Sequence, residues 1–183
     1  MDAEVIITTV LFDDKYELLH NRFSIHDIAP LTEKEYFVRG STALLDAVGK
    51  TVNKIKNILI NANEDERPEH VMFVITTDGM ENSSREFSYE KVRQMIEHQK
   101  NEGWEFIFLG AIIDAVATAE MFGIDKDRAS NYHADSEGTL LSYNVISETI
   151  HCLQVNHKIS ENWKKRIEDD YKKKVIVQNK VGI

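Results

Sequence analysis

The fold is decided by one apolar run that ends in polar residues, Val71-Met72-Phe73-Val74-Ile75-Thr76-Thr77-Asp78-Gly79-Met80-Glu81-Asn82. Its apolar part predicts a fully buried strand, and the hydroxyls, the carboxylate and the glycine predict that the strand ends there. Ligands of open α/β sheets bind at the carboxyl ends of the strands, where the loops diverge. The sequence therefore predicts a binding edge beside Asp78.

Composition favours a single soluble domain. The chain has 183 residues, of which 42% are hydrophobic, enough to bury a core without cross-links. The single cysteine, Cys152, excludes an internal disulfide and fits a reducing compartment. No apolar run reaches the roughly 18 residues of a membrane span, and the acidic segment 1–4 is unlike a signal peptide. We therefore expect a cytoplasmic protein that does not bind membranes.

The charge of the chain bears on its partners. The formal net charge is -9 at pH 7. Nonspecific nucleic-acid binding needs a basic surface that displaces counterions from phosphate. We therefore expect no nucleic-acid partner.

Strand and helix patterns alternate along the chain. Residues 4–12 and 16–23 predict an antiparallel hairpin, residues 27–39 a connecting loop, and residues 44–59 a helix with Ser41 or Thr42 as its N-cap. The following elements are predicted as a helix from Ser88 to Gly103, a strand at 105–111, a helix from Asp114 to Gly123, an edge strand at 130–134 and a helix at 139–158. This alternation predicts an α/β sandwich with parallel strands.

The C-terminal segment 159–183 differs from the domain at 1–158. Ser160 is predicted to cap a helix that carries Trp163, Ile167 and Tyr171 at four-residue spacing, and residues 174–178 are predicted to form a terminal strand. The aromatic and aliphatic stripe suits core packing, and it also suits an interface between copies of the chain. Both readings stay open, with core packing favoured.

Three oxygen-bearing residues are candidates for a metal site. Ser41, Thr42 and Asp78 offer hydroxyl and carboxylate oxygens, which suit a hard cation such as Mg2+. Ser41 is the weakest of the three. The alternative is structural, because the hydroxyls can cap a helix and Asp78-Gly79 can form a turn. The seven histidines show no metal-ligand spacing, so we expect surface or hydrogen-bonded histidines.

Three blocks of sequence resemble a bacterial von Willebrand factor type A domain: residues 40–44 (Gly-Ser-Thr-Ala-Leu), 74–82 (Val-Ile-Thr-Thr-Asp-Gly-Met-Glu-Asn) and 108–111 (Phe-Leu-Gly-Ala). The resemblance covers about residues 4–135. It implies a three-layer α/β/α sandwich, a doubly wound, mostly parallel sheet with an antiparallel edge hairpin, and a metal-ion-dependent adhesion site. By this likeness Thr42 matches a threonine ligand, and Asp78 matches an aspartate that holds the metal through water.

The chain departs from this family at its start. The family's first strand, with its Asp-x-Ser-x-Ser ligand motif, has no counterpart before Glu4. The resemblance therefore implies an incomplete site where Mg2+ binds weakly or not at all, and a gap in the middle of the sheet. The gap has three explanations: a natural start upstream of Met1, direct pairing of strands 4–12 and 71–77, or insertion of Val175-Ile176-Val177 from the same chain or a partner.

These features favour a noncatalytic protein-interaction module. Its partner, a protein, would bind at a rim formed by Gly40, Thr77, Gly79, Glu81 and Asn82 around Asp78. One alternative is an Mg2+-dependent phosphoryl-transfer or hydrolytic enzyme that uses Asp78, although neither a phosphate-binding glycine loop nor an Asp-x-Asp motif is found. The other is a scaffold that self-associates through residues 160–183 or the open sheet edge.

Overall fold

The computed structural model describes residues 4–32 and 40–181, with side chains up to residue 175. The described chain is a mixed α/β protein with five α-helices and two sheets. It divides into two compact units. The first comprises Met1–Ala62 and Met80–Val92, and the second comprises Asn63–Gly79 and Arg93–Ile183. The predicted α/β class is confirmed.

The first unit begins with an antiparallel hairpin, as predicted. Strand β1 (Ile6–Phe12) pairs with β2 (Tyr16–Ser24), and Phe12 lies opposite Tyr16. The buried Asp13 shapes the turn, because its carboxylate accepts a hydrogen bond from the Lys15 backbone N–H at 2.6 Å. A 3-10 turn follows at Ile25–Asp27. The rest of the predicted loop at 27–39 lies partly outside the described residues.

Helix α1 (Leu44–Asn61) follows the helical apolar pattern and buries Leu44, Leu45, Val48 and Val52. The predicted N-cap is wrong. Ala43 occupies the N-cap position and makes no side-chain capping bond. Side chains from the loop at 81–84 bind the free N–H groups of the first turn instead, so Ser41 and Thr42 are not needed as caps.

The second unit contains a parallel sheet in the order β3–β4–β5. Its strands are Met72–Thr77, Glu105–Gly110 and Ala129–Asn131. The predicted strands at 71–77 and 105–111 are confirmed, and the third lies slightly earlier than predicted. The prediction that the first of them is fully buried is wrong: within β3 only Ile75 and Thr77 are buried, because no strand pairs with its outer side among the described residues. Parallel pairing requires crossover connections. Helices α2 (Tyr89–Asn101) and α3 (Ala115–Met121) occur in these connections.

The predicted ends of these helices are also confirmed. The Ser88 hydroxyl accepts a hydrogen bond from the Lys91 N–H at 3.3 Å, and the Asp114 carboxylate accepts one from the Ala117 N–H at 3.0 Å. Gly103 and Gly123 follow the two helices with φ values of 87° and 77°. A glycine adopts this left-handed conformation without a Cβ penalty, so both positions end a helix at low cost.

The C-terminal helices complete the core of the second unit. Helix α4 (Ser136–Asn156) contributes Val145 and Leu153, and the segment before α5 (Lys165–Val181) contributes Ile159 and Trp163. These side chains belong to one apolar cluster with Ile107 and Leu109 of β4 and Ile167 of α5. Segment 159–183 thus packs into the same core as β4. The domain boundary predicted at residue 158 stays a prediction.

The predicted terminal strand at 174–178 is wrong, because α5 runs through these residues. Three consecutive β-branched or aliphatic residues carry only a weak strand preference, which depends strongly on context. Here they continue a helix that buried Ile167 anchors in the core. The weak strand preference of these three residues is therefore outweighed by continuation of the helix that precedes them.

The described strands form two separate sheets. One sheet contains only β1 and β2 and the other only β3, β4 and β5 among the described residues, so the explanation in which strands 4–12 and 71–77 pair directly is wrong. Val175-Ile176-Val177 does not fill the gap from its own chain, since it is helical. Within residues 4–32 and 40–181, β3 is an edge strand of its sheet. In the same ranges no helix is long and apolar enough to cross a bilayer.

Candidate functional site

The end of β3 leaves Asp78 in solvent. Buried Thr77 is engaged in the turn: its Oγ1 donates to the Gly79 carbonyl oxygen at 3.0 Å and accepts from the Gly79 N–H at 3.3 Å. Asp78 is exposed, and its carboxylate has no hydrogen bond or ion pair in the part of the chain that the structure describes. Asp78 is therefore available to a ligand, whereas the Thr77 hydroxyl is occupied.

The end of β4 lies beside Asp78 and presents an unusual isoleucine. The Ala111 N–H donates to the Thr77 carbonyl oxygen at 2.9 Å, so the loops after β3 and β4 begin side by side. Ile112 has a φ of 62° and is 83% exposed. A β-branched residue rarely adopts this conformation, which costs roughly 1–2 kcal/mol. A strained, exposed, apolar side chain and a free carboxylate thus lie in two loops that begin side by side.

Asn131 holds this loop in place. Its Oδ1 accepts from the Ala115 N–H at 3.3 Å, and its Nδ2 donates to the carbonyl oxygens of Ile113 and, at 3.4 Å, Gly110. One side-chain amide thus binds the backbone on both sides of Ile112. The sequence pattern does not reveal this role, because Asn131 ends an ordinary-looking edge strand and its partners lie 16 to 21 residues away.

The other predicted rim residues belong to the first unit. The Thr42 N–H donates to Asn82 Oδ1 at 2.9 Å, and the Asn82 N–H donates to the Thr42 carbonyl oxygen at 3.0 Å. Ser41 and Thr42 are half-buried, and within the described ranges their hydroxyls have no hydrogen-bond partner. Gly40 is exposed. Because Thr42 and Asp78 fall in different units, their joint role as metal ligands stays a prediction.

Glu81 is fully engaged in holding its own loop to the start of α1. Its Oε2 accepts from the Leu45 N–H at 2.8 Å and from the Ser84 hydroxyl at 2.7 Å. Its Oε1 accepts from the N–H groups of Ser83 at 2.9 Å and Ser84 at 2.8 Å. A carboxylate is also favourable at a helix N-terminus because of the helix dipole. This side chain therefore has a structural role, and its oxygens are not free for a metal or a proton transfer.

Asp46 also holds this loop, a role that the sequence pattern does not predict. Its carboxylate accepts hydrogen bonds from the backbone N–H groups of Arg85, Glu86 and Phe87, each at 2.9 Å. Burial alone would raise the pKa of Asp46, but these three bonds and the Lys50 ammonium outweigh it and hold the pKa below its usual value. An acidic residue in a first helical turn gives no sign that its partners lie about 40 residues away.

A shallow depression of about 250 Å3 lies at the amino end of β4, opposite the end that precedes Ile112. Its charged side chains are paired with one another: Lys100 with Asp125 at 2.6 Å, and Arg128 with Glu105 at 3.0 Å. These four charged side chains are therefore engaged in ion pairs, and none of them is free to act on a substrate.

The second unit also brings together three potential metal ligands. His70 Nε2 lies 3.0 Å from His157 Nδ1, and Glu69 Oε1 lies 3.1 Å from His157 Nδ1 and 4.0 Å from His70 Nε2. Among the described residues, this is the one group of three or more His, Cys, Asp or Glu side chains close enough to share an ion. The histidines are 87 residues apart, which is why no spacing in the sequence reveals them.

Comparison with protein-family models, curated proteins and solved structures finds no match for this chain.

Proposed function

We propose that this chain is a noncatalytic protein-interaction module of the von Willebrand A type. Its partner would be a protein that binds the carboxyl edge of the parallel sheet. The observation that carries this proposal is the pair formed by the free Asp78 carboxylate and the exposed Ile112. Burial of an exposed apolar side chain by a partner is favourable because it removes apolar surface from water, and an unpaired charge in the neighbouring loop adds selectivity.

The sheet order supports the family assignment. Strands β3, β4 and β5 are parallel neighbours in chain order, and Asp78 and Ala111 follow the first two, as the resemblance implies. The doubly wound, three-layer α/β/α arrangement belongs to this proposal. Its observed parts are the three-stranded parallel sheet and the separate hairpin.

In this proposal, fewer side chains contact the partner than the sequence predicts for the rim. Thr77, Glu81 and Asn82 use side-chain atoms in internal hydrogen bonds. Asp78 and Ile112 remain as side chains for a partner, with Gly79 beside them. For Mg2+, the Asp78 carboxylate is the one predicted ligand with formal charge, and a single carboxylate supplies too little charge and too few ligands for high affinity. Mg2+ binding is therefore proposed to be weak or absent.

Both alternatives have less support. For an enzyme that uses Mg2+, Asp78 belongs to no group of three or more His, Cys, Asp or Glu side chains that could share an ion among the described residues. For a self-associating scaffold, Trp163 and Ile167 are buried in their own unit, which removes most of the apolar stripe expected at an interface. The open edge of β3 is the remaining route to self-association.

The decisive experiment compares rim variants in partner binding. Partners are captured from extract of the source cells and quantified by mass spectrometry, and affinity is then measured with the purified partner. We expect Asp78→Ala and Ile112→Asn each to weaken binding by about tenfold or more, the range of interface hot spots. Asparagine tolerates a left-handed φ, so Ile112→Asn removes the apolar contact without adding strain.

Leu140→Asn is the matched control, because Leu140 is 63% exposed on α4. A partner that binds both rim variants as tightly as the unaltered chain would refute the proposal. Phosphatase or ATPase activity that Asp78→Ala abolishes would instead establish the enzyme.

A further inference from the structure

We propose that Glu69, His70 and His157 form a binding site for a transition-metal dication such as Zn2+. Glu69 and His70 precede the amino end of β3, whereas Asp78 follows its carboxyl end. The site is therefore separate from the proposed partner-binding edge, and it does not depend on the proposed function.

The ligand atoms lie within about 0.7 Å of the spacing that tetrahedral zinc requires. Their three separations are 3.0, 3.1 and 4.0 Å. Tetrahedral zinc with bonds of about 2.0–2.1 Å to nitrogen and oxygen requires ligand atoms roughly 3.3–3.4 Å apart. The observed separations lie around this value, so small side-chain rotations would suffice to close the site on an ion.

The donor chemistry favours zinc over magnesium. Two imidazole nitrogens and one carboxylate oxygen suit zinc and related dications, whereas Mg2+ prefers oxygen ligands alone. Two histidines and a glutamate form a three-ligand zinc set that leaves a fourth position to water. The side chains of Glu69 and His157 are 73% and 59% exposed, so an ion and its water can reach them from solvent.

The position of His157 supports a cation at this point. His157 ends the 21-residue helix α4, and its N–H donates to the Leu153 carbonyl oxygen at 2.9 Å. The C-terminus of a helix carries partial negative charge, which attracts a cation. His157 also has a φ of 54°, a conformation usually given to glycine at helix ends.

Metal binding would join two distant parts of the second unit. Glu69 and His70 lead into β3, and His157 lies 87 residues after His70 at the end of α4. In a neutral pair, one of the two facing imidazole nitrogens must carry the proton while the other accepts it. An ion would instead bind the lone pairs of both nitrogens and of the carboxylate. It would therefore stabilise the folded second unit against unfolding.

The test is a titration of the full chain with ZnCl2, followed by calorimetry and thermal unfolding. We expect one ion per chain and a rise of about 5–10 °C in the unfolding midpoint at a hundredfold excess over the dissociation constant. His157→Asn should lower the affinity at least tenfold while keeping a residue that tolerates left-handed φ. His70→Ala provides a second variant at a different backbone position.

His151→Ala is the matched control, since His151 is an exposed histidine on the same helix and outside the cluster. It should bind Zn2+ as the unaltered chain does, and MgCl2 should not compete with Zn2+. The proposal is overturned by absence of binding to the unaltered chain, or by equal binding to His157→Asn and His70→Ala.

Discussion

At the scale of single residues, Asp46 shows how one side chain fixes a loop. Its carboxylate binds three successive backbone N–H groups, and Glu81 binds the start of α1 from the same loop. Gly49, one turn further along α1, lies against the Phe87 ring: a Cβ at that position would come within 2.6 Å of Phe87 Cγ. The loop at 81–87 is thus held by polar contacts at both ends, and close packing of Phe87 adds to them at its second end.

We predict that Asp46→Asn destabilises the protein at pH 7 by about 2 kcal/mol, because it weakens charge-assisted bonds to a buried carboxylate. The pKa of Asp46 is lowered in the folded state, so its contribution is complete above the unfolded pKa of about 3.9 and is lost as the pH falls through the folded value. The difference between the two proteins should therefore shrink below about pH 4.

Urea unfolding of both proteins between neutral and acidic pH measures this difference. Asp65→Asn is the control, because Asp65 is exposed in a short 3-10 turn. A difference between Asp46→Asn and the unaltered protein that stays constant with pH would contradict the assignment.

Local residues were predictable and distant partners were not. Ser88 and Asp114 cap the starts of their helices and Gly103 and Gly123 follow the ends, as predicted, because each acts on residues a few positions away. Asn131 gave no comparable signal, since its hydrogen bonds reach backbone groups of another strand and loop. Asp78 was predicted at a strand end because an apolar run leads directly to it.

At the scale of elements, the C-terminal helix shows the limit of short patterns. The spacing of Trp163 and Ile167 correctly indicates core packing, since both are buried. The apolar triplet beginning at Val175 suggests a strand and is helical instead. A three-residue apolar pattern cannot distinguish the helical period from the strand period, whereas the longer four-residue repeat before it indicates a helix.

We predict that Trp163→Ala destabilises the protein by about 3–5 kcal/mol, the usual cost of deleting a buried tryptophan. Trp163→Phe should cost less, about 1–2 kcal/mol, because it keeps most of the apolar contact and loses the Nε1 bond to the Asp127 carbonyl oxygen at 2.8 Å. Val155→Ala is the control, because Val155 is 61% exposed on α4.

Chemical unfolding of the three variants tests this order. If Trp163→Ala unfolds at the same midpoint as Val155→Ala, Trp163 does not belong to the core, and the stripe becomes a candidate interface again.

At the scale of the whole molecule, β3 has an outer side that pairs with no strand among the described residues. The N–H groups of Glu105 and Ala111 donate to the carbonyl oxygens of Val71 and Thr77, each at 2.9 Å. Because backbone groups alternate along a strand, the odd-numbered residues of β3 face β4 and the even-numbered ones face away. In the described part of the chain, no strand pairs with that outer side.

We predict that the amide hydrogens facing β4 exchange about tenfold more slowly than those on the outer side, since only the former are held in a ladder. The slow set is Phe73, Ile75 and Thr77, and the fast set is Met72, Val74 and Thr76. NMR-detected hydrogen exchange resolves the two sets. Residues 108–110 of the central strand β4 pair with β3 on one side and with β5 on the other, so they are the internal control and should show no alternation.

Equal protection of both sets in β3 would contradict this prediction. It would indicate that a strand from another chain or from residues outside the described ranges covers the outer edge. Light scattering would then separate self-association from pairing within one chain.

The sequence by itself determined the α/β class, most strands and helices, the hairpin and the position of Asp78 at a strand end. These features depend on periodicity and on residues within a few positions of one another. Only the tertiary structure decided that Glu81 and Asp46 hold a loop, that Asn131 holds Ile112 in its strained loop, and that His70 meets His157. These contacts join residues 18 to 87 positions apart, and packing alone brings them together.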